Sequence, residues 1–265
     1  MCSFAQSLNM LKEIIISIQA YFQAHRFIIR HRLWKWILIP GLIYAAMFFI
    51  GILLFRNTIG SFLNYTLSHS GIKAWLQSFT DKGIFSFIFI IIELAVTIIL
   101  FYFYFSVFKY VFLIIGSPLF AYLSEKTQAI IEEKEYPFQF SQFVKDILRG
   151  IKLAIRNLAW QSVYSFGIFL LALIPVVGLA TVVLAFFVEC YYLGFSMLDY
   201  SCERNKLSAS RSISYISGHK GLAIGNGIIF YHMHLLPFVG WVLAPGYAVI
   251  AATISLHTAE GESVK

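Results

Sequence analysis

Leu173-Ile174-Pro175-Val176-Val177-Gly178 and Leu235-Leu236-Pro237-Phe238-Val239-Gly240 are the same short phrase written twice, each inside a long apolar stretch. Proline closes a helix, and glycine permits the turn from which another starts. Each phrase therefore reads as the tip of a helical hairpin. A tip that meets water carries Asn, Asp or Ser. Here the flanks are Ile174, Val176, Val177, Leu179 and Leu236, Phe238, Val239, Trp241. Tips of that chemistry belong inside a membrane.

The composition asks for the same solvent. Hydrophobic residues make up 59% of the 265 and charged residues only 12%, against about 25% charged in a soluble domain. The mean hydropathy is +0.77. The net charge of +7 does not point to nucleic acid, because the basic residues flank apolar runs, where they act as orientation signals. Cys2, Cys190 and Cys202 have no metal or redox spacing and read as free thiols. No cleavable signal peptide is visible ahead of the first apolar run.

Two stretches have the length of a crossing, which takes about 20 apolar residues: residues 37–55 and 84–108, the second with one carboxylate, Glu93. Lys12, Arg26, Arg30, Arg32 and Lys35 precede the first; Lys109, Lys126, Lys134 and Lys145 follow the second; Arg56, Lys73 and Lys82 lie between. That bias predicts cytoplasmic N- and C-termini and an external 56–83 loop. The two remaining apolar stretches, 163–198 and 222–255, are joined by a basic segment and must enter and leave on one side. Val163–Ile174 as helix spans roughly 18 Å, short of a ~30 Å core. The apolar tips likewise favour hairpins that dip halfway over helix pairs that cross fully. Residues 7–30 place Leu8, Leu11, Ile15, Ile18, Phe22 and Ile29 at helical spacing, which predicts an amphipathic helix along the inner surface, part of an interfacial segment 1–36. Ser117-Pro118 reads as a helix start, Ser at N-cap and Pro at N1. That helix should end near Tyr136-Pro137, and another should run from about Ser141. The expected fold is one all-α, polytopic membrane domain over 1–265: two spans, two re-entrant hairpins and amphipathic interfacial helices.

These landmarks, in order, resemble the CysZ-type sulfate permease family, which shares a superfamily with the etoposide-induced membrane proteins. Ser117-Pro118-Leu119-Phe120 with Leu123-Ser124-Glu125-Lys126 resembles the family's small-Pro-Phe…Leu-Ala-Glu phrase. Leu173–Gly178 resembles its Ile-Pro-x-x-Gly tip, and Met197-Leu198-Asp199-Tyr200 its Tyr-x-Asp-Tyr phrase. Leu236-Pro237, Ala244-Pro245 and Ala251-Ala252-Thr253 resemble its ending, with Ala251 where the family has Gly. Pro118, Glu125, Pro175, Asp199, Pro237 and Pro245 are thereby marked as structural motif residues. The resemblance implies a homo-oligomer of the bacterial inner membrane that takes up sulfate for sulfur assimilation.

An oxyanion needs positive potential and hydrogen-bond donors shielded from water. Gly178 and Gly240 stand at helix N-termini expected at membrane depth, where unpaired N–H groups and the dipole favour anions; the competing reading is tight turns and packing. Arg30, Arg32 and Lys35 sit at the mouth of the first span, where the resemblance puts the family's basic pair; the competing reading is anchoring to anionic membrane lipid. Lys145, Arg149, Lys152 and Arg156 recur at steps of four, three and four on one helix face, for a vestibule or for lipid phosphates. Glu93 is a candidate for proton coupling or for an oligomer interface. His232 and His234 at i and i+2 do not share a helix face, so no metal is expected, and no cofactor phrase such as a P-loop occurs. The expected activity is that of an anion permease or channel for sulfate rather than an enzyme. The alternatives are a permease for another small oxyanion, or a membrane scaffold that moves no solute.

Overall fold

The computed structural model describes residues 2–69, 83–134, 140–172, 174, 177–204 and 207–263. Among them every regular element is an α-helix: α1 Cys2–His31, α2 Trp34–His69, α3 Gly83–Glu132, α4 Phe140–Ala172, α5 Val177–Arg204, α6 Ala209–Gly218, α7 Lys220–His234 and α8 Val239–Ser263. Three described stretches are long and apolar enough to cross a bilayer: Trp34–Thr58, Ala180–Cys202 and Val239–Ala259. The first contains the predicted span 37–55. The predicted span 84–108 falls within α3, but the side chain of Glu93 lies outside the described residues.

The chain divides into two compact units, Met1–Ala45 with Phe112–Lys265, and Ala46–Val111. The first unit is built around α8. Ala244, Ala248, Val249, Ile250, Ala251, Ala252 and Thr253 are fully enclosed, the mark of a helix buried on all sides. The α5 and α7 helices cross so closely that a Cβ on Gly194 would lie 1.8 Å from the Ala223 oxygen, and one on Gly227 would lie 1.8 Å from the Cys190 oxygen. Small residues at such crossings let dispersion act between backbones, as membrane bundles require where lipid removes the hydrophobic drive. Hydroxyls add directed contacts. Ser124 of α3, Ser201 of α5 and Thr253 of α8 form a buried triangle with sides of 3.0 to 3.2 Å. Tyr200 also donates to the Leu113 carbonyl at 3.1 Å.

Helix α1 forms where the amphipathic helix is predicted, but its inward face is not the apolar stripe. Glu13, Ser17, Ala20, Tyr21, Ala24 and Ile28 are buried, while Leu8, Leu11, Ile15, Phe22 and Ile29 are exposed. Ser17 donates to the Leu222 carbonyl and Tyr21 to that of Asn226, both at 2.9 Å, so α1 runs parallel to α7. Small and polar side chains allow this approach; the bulky ones are left for an apolar surrounding.

Ser117-Pro118 does not start a helix. Helix α3 runs straight through Pro118, 50 residues without a break. An interior proline removes one hydrogen bond, at about 3 kcal/mol, whereas a helix end leaves up to four N–H and four C=O groups without intrahelical partners. In an apolar surrounding the single loss is the smaller cost. The start expected at about Ser141 is close to the observed start of α4 at Phe140; α3 ends at Glu132, and Tyr136-Pro137 lie outside the described residues.

In the second unit the Phe55 ring lies 5.2 Å from that of Phe101 and 5.1 Å from that of Tyr104. Gly51 leaves room for the Phe108 ring, 2.9 Å from where its Cβ would be.

Candidate anion-binding site

The turn between α1 and α2 is defined by two backbone hydrogen bonds. Leu33 N–H donates to the Ile28 carbonyl at 3.1 Å and Arg32 N–H to that of Ile29 at 3.4 Å, the paired bonds of a Schellman cap. Leu33 and Ile28, at the two positions whose hydrophobic contact accompanies that cap, are both buried. The cap needs a left-handed residue at its C′ position, usually glycine. Here that residue is Arg32, with φ 54. A non-glycine side chain there costs roughly 1–2 kcal/mol. Strain at a basic residue in a turn is a pointer to function.

Arg30 occupies the last turn of α1 and Lys35 the first turn of α2, which contains no acidic residue. Arg30, Arg32 and Lys35 are all exposed. The fold adds a fourth cation that sequence proximity does not reveal: Lys126 of α3 lies 5.5 Å from the Trp36 ring and 5.9 Å from that of Tyr122. The clue was the Leu-Ser-Glu-Lys phrase, but only packing puts it beside Trp36. Among the described residues none of these four cations has an ion-pair partner. The group can take up an oxyanion by guanidinium forks, with the α2 N-terminus contributing its dipole.

The two tip glycines make the same kind of backbone hydrogen bond. Gly178 N–H donates to the Ile174 carbonyl and Gly240 N–H to that of Leu236, each at 2.9 Å. A Cβ on Gly240 would lie 1.8 Å from the Met233 oxygen, and one on Gly178 2.8 Å from that of Ala172. Both glycines thus let adjoining helix ends approach. Pro237 stands in the exposed second tip, where Val239 N–H reaches the Pro237 carbonyl at 2.7 Å across Phe238, φ 61. Pro175 lies outside the described residues, while Pro245 is buried within α8. Glu125 is half-buried on α3 and engaged within the chain.

The basic face of α4 is divided by the fold. Lys145 and Lys152 are exposed. Arg149 instead turns inward and holds Asp199 with both terminal nitrogens, at 2.8 and 3.2 Å. It also donates to the Leu207 carbonyl at 2.9 Å and to the Ser212 hydroxyl. Asp199 is therefore a structural partner, tying α5 to α4. His232 contacts the Ile228 carbonyl, whereas His234 meets the Tyr44 hydroxyl at 3.1 Å. No group of three metal-ligating side chains occurs among the described residues.

Residues 20–245 match the family described as Sulfate transporter CysZ/Etoposide-induced protein 2.4. The chain belongs to this family. Proteins named Sulfate transporter CysZ are among its relatives. That of Pseudomonas fluorescens is 27% identical over 143 residues, 53% of this chain and 57% of the relative. That of Pseudomonas syringae pv. tomato is 27% identical over 149 residues, 56% of this chain and 58% of the relative. That of Pseudomonas aeruginosa is 26% identical over 157 residues, 58% and 63% respectively. The match thus spans somewhat over half the length of each relative. The CysZ/etoposide-induced family is one of transporters rather than enzymes, and the apolar helices of this member make it a multi-pass membrane protein.

Proposed function

We propose that this protein is a sulfate permease of the bacterial inner membrane, and that Arg30, Arg32 and Lys35 gather the anion at the cytoplasmic mouth of the first span, with Lys126 beside them. The observation that carries the reading is Arg32 held at φ 54 between two further cations, with no ion-pair partner for them among the described residues. A site built for lipid anchoring alone has no need of a strained arginine. The names of the Pseudomonas relatives support sulfate as the solute. Gly178 and Gly240 serve the hairpins by close packing; with their N–H groups engaged, any anion contact there falls to neighbouring amides.

The hairpins are taken to dip into the bilayer rather than cross it. Helix α7 has 15 residues, about 22 Å long and short of a ~30 Å core. The tip it reaches presents Leu235, Leu236 and Phe238 at 60 to 70% exposure, which suits lipid or a second copy and not water. The same unpartnered apolar surface supports a homo-oligomer, and the Lys/Arg bias supports cytoplasmic termini.

The test is radiolabelled sulfate uptake into proteoliposomes, for the natural chain and the Arg30→Ala/Arg32→Ala variant. Saturable uptake weakened by the substitutions supports the proposal. No uptake by folded, reconstituted protein would shift the reading to another oxyanion or to a scaffold.

A further inference from the structure

A groove of about 650 Å³ runs between α1 and the α7–α8 hairpin, within the range of small-molecule sites. Its walls are two i, i+4 rows on parallel helices: Ile18 and Phe22 on α1, Ile229 and Met233 on α7. Tyr21, His25 and Tyr247 also line it, and both tyrosine hydroxyls are engaged. The Tyr21 hydroxyl donates to the Asn226 carbonyl at 2.9 Å, and that of Tyr247 meets His25 Nδ1 at 2.8 Å. What the groove offers inside is therefore ring face and aliphatic surface. One turn beyond Phe22 the α1 row changes character to Arg26, exposed and without an ion-pair partner among the described residues.

We infer that this groove seats one anionic phospholipid, with its acyl chain along the Ile18–Phe22 and Ile229–Met233 rows and its phosphate on Arg26. Apolar walls ending in one unpaired guanidinium match a molecule that is hydrocarbon at one end and anionic at the other. A free sulfate or phosphate would use Arg26 and leave the walls uncovered. An apolar segment of a second copy would cover the walls and leave Arg26 unused, whereas an anionic lipid headgroup complements its charge. On this assignment α1 reads the charge of the leaflet through a built site, not through its net charge alone. Arg30 follows Arg26 by one helical turn on α1, and occupancy of the groove is read without any transport assay.

The test is lipid retention by the full-length, detergent-purified protein in native mass spectrometry, comparing phosphatidylglycerol with phosphatidylcholine of the same chains. One phosphatidylglycerol should be retained in preference, and Arg26→Ala should lower that preference roughly fivefold, the worth of one basic contact at a membrane surface. Met233→Trp, which fills the groove, should reduce retention of both lipids, and Arg211→Ala, which removes an exposed cation from α6, should change nothing. If Met233→Trp fails to fold, Arg26→Ala alone decides. Equal retention of the two lipids overturns the proposal, as does an Arg26→Ala protein that keeps its preference. Displacement of the lipid by inorganic phosphate would make the site one for a free oxyanion. A dimer lost only in the groove variants would make it an interface between copies.

Discussion

The carboxylate of Glu13 accepts a hydrogen bond from the Gly221 N–H at 3.0 Å, across 208 residues of chain. Gly221 is the second residue of α7, and its N-cap, His219, makes no side-chain cap. Helix α1 thus provides the cap that α7 lacks locally. Burial raises the Glu13 pKa above its ordinary 4.5, against the lowering effects of His219 and the Gly221 and Leu222 amides. The folded chain therefore holds this proton to higher pH than the unfolded chain does. Its stabilisation is complete below about 4.5 and is lost as pH rises through the folded value. Thermal denaturation in detergent should fall across that window for the natural chain and flatten in Glu13→Gln. Glu13→Ala should cost about 1–2 kcal/mol at every pH by removing the cap.

Arg32→Gly separates stability from activity. Glycine takes φ 54 without strain, so the variant should be more stable by about 1 kcal/mol. If Arg32 belongs to the proposed anion site, sulfate uptake should nevertheless fall, because one of its guanidinium forks is gone. A variant that gains stability and keeps full uptake would remove Arg32 from the site.

The Arg149–Asp199 pair is largely buried, with side-chain exposures of 13% and 7%. Removing one partner leaves the other charge without compensation, so Asp199→Ala and Arg149→Ala should each cost about 3–5 kcal/mol. The double variant should cost less than the sum, a coupling measurable by a thermal double-mutant cycle. Additive losses would mean that the pair is not a unit.

Glycines divide by surroundings. Gly227→Ala and Gly194→Ala set a methyl group against a backbone oxygen 1.8 Å away, a contact that only movement of a helix relieves, at about 1–3 kcal/mol or more. Gly150→Ala, in α4 with nothing within 4 Å, should instead stabilise by about 0.5–1 kcal/mol through helix propensity. Melting temperatures of the three variants check the order.

Much of this was legible in one dimension. Apolar run length, the repeated Pro-x-x-Gly phrase and the basic flanks are local properties, so the amphipathic helix, the first span, the hairpin tips and the Arg30–Lys35 turn could all be found from them. Pro118 was misread because the rule that starts a helix at Ser-Pro assumes water for the freed backbone groups. Lys126, Glu13 and Arg149 were not assignable, since their partners Trp36, Gly221 and Asp199 are distant in the chain, the last by 50 residues and Gly221 by 208.

The chemistry of the solvent and the places where helices reverse were determined by the sequence alone, because both follow from side-chain polarity and backbone freedom within a few residues. Which face of α1 turns inward was decided only by tertiary structure. Hydrophobicity puts Leu8, Leu11, Ile15 and Phe22 on one stripe, but in an apolar surrounding burying them in protein gains little. Close packing against Gly221 and Gly225, with Glu13, Ser17 and Tyr21 finding hydrogen-bond partners, gains more, and it turns the helix the other way.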